Sequence, residues 1–241
     1  MINYKQNLIN LLEKKDAKIA IIGLGYVGLP LSLTFAENGF EVLGIDIDEF
    51  KVSSINNGET YINHIPKERI LKMRSEGKLS ASTDFKLVAN MDALILCIPT
   101  PLTKYREPDL SFIRETIKSL IPFIKVGQAL SLESTTYPGT TEEELKPIIE
   151  KQGLEIGDTF FLIYSPERED PGNNFYTTSN IPKVMGGCTT NCGDIGQALY
   201  SKVVNQVVRV SNTKSAEMTK LLENIYRSVN IGLVNELKIL T

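Results

Sequence analysis

The sequence predicts an α/β protein: a doubly wound parallel sheet followed by the start of one long helix. Three features carry this expectation, namely short apolar runs, amphipathic stretches between them, and Gly or Asn stops where those stretches end. Residues 19–22 form the first apolar run, followed by Gly23-Leu24-Gly25-Tyr26-Val27-Gly28 and an amphipathic stretch over 29–37 that stops at Asn38-Gly39. That is strand, glycine turn, helix and helix stop. Residues 41–45 read as a second strand ending in Asp46-Ile47-Asp48, and 49–55 as a helix ending at Asn56-Asn57-Gly58. Together they make one βαβ unit. Further strands are expected at 93–98, 129–132, 160–164 and 203–210, with helical patterns at 110–121 and 141–151. From Ser211 the pattern becomes a single helix: Asn212 is the N-cap, and Ala216, Leu221, Leu222, Ile225, Val229, Leu233, Val234 and Leu237 recur at helical spacing. Apolar residues still arrive at Ile239 and Leu240. The expectation is that this helix packs on a partner subunit, as a homodimer surface, or that the sequence is a fragment. The organisation expected is a helical extension over 1–16, a nucleotide-binding domain over 17–210, and the start of a central helix over 211–241.

Composition bounds the function. The 241 residues are 42% hydrophobic and 23% charged, an ordinary globular balance with enough chain for a sizeable core. Net charge is −3, from 26 basic and 29 acidic residues, and no basic run exceeds Lys14-Lys15, which excludes nucleic acid as a partner. No apolar run approaches the ~18 residues of a membrane span. The first sixteen residues interleave polar and apolar side chains and lack a small-residue cleavage site, so a cytoplasmic location is expected. Three cysteines make no disulfide framework, and Cys97, inside an apolar run, reads as a small buried hydrophobe. Cys188 and Cys192 lack a second Cys/His pair and the only histidine is His64, so no metal is expected.

Gly23, Gly25 and Gly28 fit the dinucleotide fingerprint of a Rossmann-like domain. The first allows a tight turn, the second lets backbone approach a pyrophosphate, and the third lets helix pack on strand, with the helix N-terminus facing the phosphate charge. Asp46 closes the second strand, where a carboxylate accepts hydrogen bonds from a ribose diol and repels a 2′-phosphate. NAD is therefore favoured over NADP. A glycine turn that merely packs is the plainer alternative. Three polar segments also end predicted strands: Pro99-Thr100-Pro101, the segment Ser134-Thr135-Thr136-Tyr137-Pro138-Gly139, and the loop from Ser165 to Gly172. Ligands bind at the carboxyl ends of parallel strands, although Pro, Gly and Ser also simply punctuate loops. In the last helix Glu217, Lys220, Asn224 and Arg227 share or adjoin one face, either as a solvated charged stripe or as part of a site on a helix buried over much of its surface.

The segments GLGYVGLP, ILCIPTP, STTYPGTTEE, YSPEREDPGN and AEMTKLLENIYRSVNIGLVNE, in order from about Lys18 to the last residue, resemble the UDP-glucose/GDP-mannose dehydrogenase family. SPEREDPGN followed by IPKVMGG is more similar to the branch acting on UDP-N-acetylglucosamine and related sugars than to the UDP-glucose branch, which has a second glutamate where Pro171 stands. The resemblance implies oxidation of the C6 alcohol of a UDP-sugar to a carboxylate in two NAD-dependent steps through a cysteine-bound thiohemiacetal and thioester. By motif position it implies that Lys220 and Asn224 stabilise an oxyanion, that Glu167 is acid/base, and that Thr135 holds the reacting water. It further implies that Gly23, Gly25, Tyr26, Val27, Gly28, Asp46, Lys51, Pro99, Thr100, Ser134 and Thr135 hold NAD, and that Arg168 and Glu169 join Lys220 and Asn224 at the sugar. As a loop carboxylate near apolar strand ends, Glu167 also fits an acid/base role on the residues alone.

The pattern departs from the family in two respects: no GGHC-type cysteine segment follows the Lys-Asn helix, with none of Cys97, Cys188 and Cys192 in that motif, and the domain expected to bind the substrate's nucleotide is missing as well. The expectation is the NAD-binding portion of a nucleotide-sugar 6-dehydrogenase, for surface polysaccharide precursors, inactive alone. Two other classes stay open: a β-hydroxyacid dehydrogenase of the 6-phosphogluconate type, and a non-catalytic NAD-binding module.

Overall fold

The computed structural model describes residues 2–105, 107–167 and 181–240. Among them, β1 (Lys18–Ile22), β2 (Glu41–Ile45), β3 (Leu79–Ser82), β4 (Ala93–Leu96), β5 (Ala129–Leu132), β6 (Phe161–Tyr164), β7 (Lys183–Gly187) and β8 (Val207–Arg209) form one sheet in the order 3-2-1-4-5-6-7-8. The helices are α1 (Tyr4–Lys14), α2 (Gly28–Glu37), α3 (Glu49–Asn56), α4 (Lys67–Ser75), α5 (Ser111–Leu120), α6 (Lys146–Glu150), α7 (Thr190–Tyr200) and α8 (Thr213–Leu240).

Alternation along the strands explains the two layers. In β1, Ile19 and Ile21 face the core shared with α1, α2, α4 and α7, whereas Ala20 and Ile22 face the core shared with α5, α6 and the start of α8. Both faces are covered, so the central strands are apolar throughout, as a doubly wound sheet requires. The helix at the amino end belongs to this body, since Leu8 and Leu12 are buried in the first core.

The parallel pattern holds for β1 to β6 and then reverses. β7 runs antiparallel to β6, with Ile163 opposite Gly187, and β8 pairs parallel with β7. A chain that leaves β6 at the carboxyl edge and re-enters from that edge needs no crossover helix. The reversal also brings Lys183, the first residue of β7, to the edge where the polar segments gather.

Four other expectations change. The apolar run over 203–210 is a turn, with Val203 and Val204 buried under the end of α7, and only Val207–Arg209 is strand. The helical pattern over 141–151 opens as a π-type turn, Thr141–Leu145, before α6. α4 and β3 lack strong periodicity, since α4 buries only Ile70 and Met73 and β3 is half serine, so burial against neighbours rather than pattern makes them. α8 buries only Thr213, Ala216 and Glu217; beyond them Leu222, Ile225, Val229 and Leu237 are more than half exposed, contrary to a helix buried over much of its surface.

Candidate functional site

The carboxyl ends of β1, β2, β4, β5 and β6 open into one cleft of about 360 Å³, continuous from the glycine turn through Asp46, Lys51, Pro99 and Thr100 to Ser134, Thr135 and Glu167. Beside it lies a smaller apolar hollow of about 200 Å³ lined by Ile22, Ile45, Ile47, Phe85, Ile98 and Phe112, reached past Asp46.

The glycine turn is built by steric necessity. Gly23 has φ of +94°, and a Cβ there would lie 2.5 Å from the Cys97 carbonyl oxygen; a Cβ at Gly28 would lie 1.8 Å from the Gly23 oxygen. A Cβ at Gly25 would meet nothing within 4 Å. The turn is open there because the space belongs to a ligand-sized cleft. α2 starts at Gly28 behind Val27, whose apolar side chain makes no cap; Leu29 N–H donates to the Gly25 oxygen at 3.1 Å and Pro30 carries no N–H, so the helix start offers an anion its dipole more than a row of free donors. Tyr61 fastens the turn from outside, donating its hydroxyl to the Leu24 oxygen at 2.6 Å, and burial with Asp46 nearby pushes its phenol up.

Asp46 is 7% exposed. Its carboxylate accepts from Leu24 N (2.8 Å), Asp48 N (3.0 Å) and Lys51 Nζ (3.0 Å), which fixes its orientation at the cleft rim. The Lys51 contact offsets part of the negative charge, so exclusion of a 2′-phosphate by Asp46 is weaker than an unpaired carboxylate would give. The open glycine turn, the uncapped helix start and a carboxylate beside an apolar hollow fit an adenine dinucleotide.

The other end of the cleft is assembled over longer range. Ser134 Oγ accepts from Ile98 N at 3.1 Å, and Thr100 Oγ1 donates to the Thr135 oxygen at 2.7 Å, which ties the loops after β4 and β5 together. Lys220 of α8 reaches Glu167 after β6, with Nζ 2.7 Å from the Glu167 main-chain oxygen and 3.4 Å from Oε2. Asn224 stands one turn further out, half-buried and outside the cleft lining. Arg168 and Glu169 lie outside the described residues. Cys97, just past β4, is half-buried rather than fully buried; it lines the cleft, and burial together with Glu133 pushes its thiol well up.

Two buried carboxylates brace this region: Glu133, outside every quoted segment, and Glu217, inside the last of them. Glu133, the residue after β5, is 2% exposed and accepts from Lys183 Nζ and Tyr200 OH, both at 2.7 Å, while Ser131 Oγ donates in turn to the Tyr200 hydroxyl. A charged residue closing an apolar strand is the one hint in the sequence. Glu217, fully buried, accepts from Gly139 N (2.5 Å), Thr141 N (2.9 Å) and Thr141 Oγ1 (2.7 Å). Burial pushes its carboxyl up, and these three donors pull the other way. The pattern placed it on a stripe; only the fold shows that it faces inward.

Comparison with known proteins gives a consistent result. A family profile described as the UDP-glucose/GDP-mannose dehydrogenase family, NAD binding domain, matches residues 17–204. The chain is 34% identical over 228 residues to a UDP-N-acetyl-D-glucosamine 6-dehydrogenase of Pseudomonas aeruginosa, covering 94% of this chain and 53% of that protein. It is 39% identical over 227 residues to Protein CapL of Staphylococcus aureus, covering 93% and 52%. Among solved structures, the UDP-N-acetyl-mannosamine dehydrogenase Cap5O of S. aureus aligns with a TM-score of 0.84 and 36% identity, covering 92% and 54%. The chain thus spans about half the length of the curated relatives it matches. With the fingerprint, the cleft and a match across most of its length, the chain belongs to the UDP-glucose/GDP-mannose dehydrogenase family, and its body is that family's NAD-binding domain.

Proposed function

We propose that this chain is the NAD-binding portion of a nucleotide-sugar 6-dehydrogenase that oxidises the C6 alcohol of a UDP-sugar, UDP-N-acetylglucosamine first, to the carboxylate. The observation that carries the proposal is that Thr135 and Glu167 line one end of the cleft and that Lys220 of α8 reaches Glu167 there. NAD supplies the hydride acceptor. Around it, Asp46 and Lys51 hold the adenosine ribose, and the start of α2 faces the pyrophosphate. Loss of the hydroxyl proton builds negative charge on the alcohol oxygen, and that charge drives the hydride off the carbon. Lys220, held beside Glu167, is a fixed cation for that oxygen, with Asn224 further along the helix, and the Glu167 carboxylate takes the proton. Thr135 holds the water that attacks the acyl group. Arg168 and Glu169 bind the sugar by motif position.

The three cysteines here do not supply the acyl-carrying thiolate. Burial pushes the Cys97 and Cys188 thiols up, away from the reactive form, and Cys192 is fully buried with its sulfur accepting from Leu162 N and Thr189 Oγ1. The 241-residue chain therefore binds NAD without producing acid. The choice of sugar is supported by the motif after β6 and by relatives named for UDP-N-acetylglucosamine and UDP-N-acetylmannosamine. The test incubates this chain, and the uninterrupted product of its gene, with NAD and each of UDP-N-acetylglucosamine, UDP-N-acetylmannosamine and UDP-glucose. Absorbance of NADH and mass spectrometry of the uronic acid are followed. Acid from UDP-N-acetylglucosamine by the uninterrupted product alone fits the proposal; acid made by this chain at about 1 per second or faster would refute the cysteine assignment.

A further inference from the structure

Glu217 joins two pieces of the cleft that are far apart in sequence. Its carboxylate sits at the inner face of α8, three residues before Lys220, and takes the N–H groups of Gly139 and Thr141. Those belong to the turn that follows Thr135. The turn is fixed at its other end by Thr100, whose hydroxyl holds the Thr135 oxygen, so the segment between them is clamped from both sides. Gly139 itself has φ of +104°, a conformation that aims its N–H inward and resists replacement.

A buried carboxylate is a costly way to hold a turn, and its carboxyl is pushed up accordingly. The cost selects for what only a carboxylate does here: accept from two main-chain donors at once, one on each oxygen. Glutamine in the same volume could accept from Thr141 but would turn its NH2 against the Gly139 N–H. α8 does not depend on Glu217 alone for docking, since the buried Thr213 donates its Oγ1 to Glu142 at 2.9 Å and the exposed Lys214 its Nζ to Glu143 at 3.1 Å.

We propose that Glu217 is a positioning residue that sets the register of α8 against the turn after β5, and thereby the placement of Lys220 relative to Thr135. The proposal rests on the dehydrogenase reading for its consequence and on the hydrogen bonds alone for its geometry, so the two can fail separately. Because Lys220 follows Glu217 by one turn, slack at Glu217 moves the ammonium off Glu167 without unseating the helix.

The test uses the 241-residue chain with isotope-labelled lysine side chains, assigned for Lys220 and for the buried Lys183 as internal reference, compared between wild type and Glu217→Gln. The expected result is that the Lys220 signal moves toward that of a solvated lysine while Lys183 stays in place, and that exchange of the Gly139 amide speeds up by about tenfold or more. Thr141→Val, which removes only the hydroxyl donor, gives a smaller displacement in the same direction and carries the test if the glutamine variant does not fold. A Lys220 signal unchanged in both variants overturns the proposal, and so does a parallel shift of Lys183, which would make Glu217 a general brace of the fold. NAD added to wild type distinguishes the other failure: NAD that leaves Thr135 and Lys220 unperturbed sinks the dehydrogenase reading, even where Glu217→Gln still moves Lys220.

Discussion

The two ends of the cleft are made in different ways. The adenosine end is local: Gly23 to Gly28 and Asp46 to Lys51 come from one βαβ unit, and its shape is set by backbone, with a Cβ at Gly28 excluded by the Gly23 oxygen. The Glu167 end is long-range: Lys220 meets Glu167 across 53 residues of sequence, Lys183 meets Glu133 across 50, and Glu217 meets Gly139 across 78. A local site survives as long as its turn survives, whereas an assembled site depends on buried charges that hold separate elements in register. Perturbing each end should separate cofactor affinity from stability.

The largest effect is expected at the assembled end. Glu133→Ala leaves the Lys183 ammonium buried without its partner, since the two side chains are 1% and 7% exposed. A loss of about 3–5 kcal/mol in unfolding free energy is expected by chemical denaturation. A loss under about 1 kcal/mol would mean that the pair is not the brace of this end. At the local end, Gly28→Ala forces the turn to move and should remove measurable NAD binding in calorimetry while changing the denaturation midpoint less than Glu133→Ala does. Equal damage to both quantities would erase the contrast. Asp46→Ala comes next: loss of a charged hydrogen-bond acceptor for the ribose should weaken NAD by about 1.5–3 kcal/mol, and its preference over NADP should shrink. NAD and NADP binding equally to wild type would contradict the ribose assignment.

How much of this was legible follows the same division. The glycine turn, Asp46 and the strands β1, β2, β4, β5 and β6 could be read because each is a local pattern of apolar runs, stops and turn residues. Thr135, Glu167 and Lys220 carry a motif signal; Thr135 and Glu167 line the cleft, and Lys220 touches Glu167 from outside the lining. Asn224 is not in the cleft lining. The reversal at β7, the helix α7 and the inward aim of Glu217 were not legible, because each depends on which surface lies opposite. Glu217 and Arg227 share a polar stripe in the sequence, yet Glu217 is fully buried and Arg227 is exposed.

The smallest expected effect is in the pH dependence of stability. Arg114 holds the Glu144 carboxyl below its usual value of 4.5, and Lys5, then Arg209, hold that of Asp194 below 3.8. Their contributions are complete above those values and are lost as pH falls through the lower folded pKa values. Glu217 has the opposite sign: its folded pKa is raised, so its contribution is complete below 4.5 and declines as pH rises through that raised value. Thermal denaturation from acid to neutral pH should therefore show Glu217→Gln flattening the decline on the upper side only, while Asp194→Asn changes the acid side. Changes of a few degrees are expected.

The central claim is that one dinucleotide spans both ends of the cleft, and a crystal structure of the chain with NAD tests it most directly. The account predicts the adenine in the hollow beside Phe85 and Phe112, the adenosine ribose on Asp46, the pyrophosphate at the start of α2, and the nicotinamide between Thr135 and Glu167. An adenosine ribose away from Asp46, or a nicotinamide outside the Thr135 and Glu167 end, would contradict it.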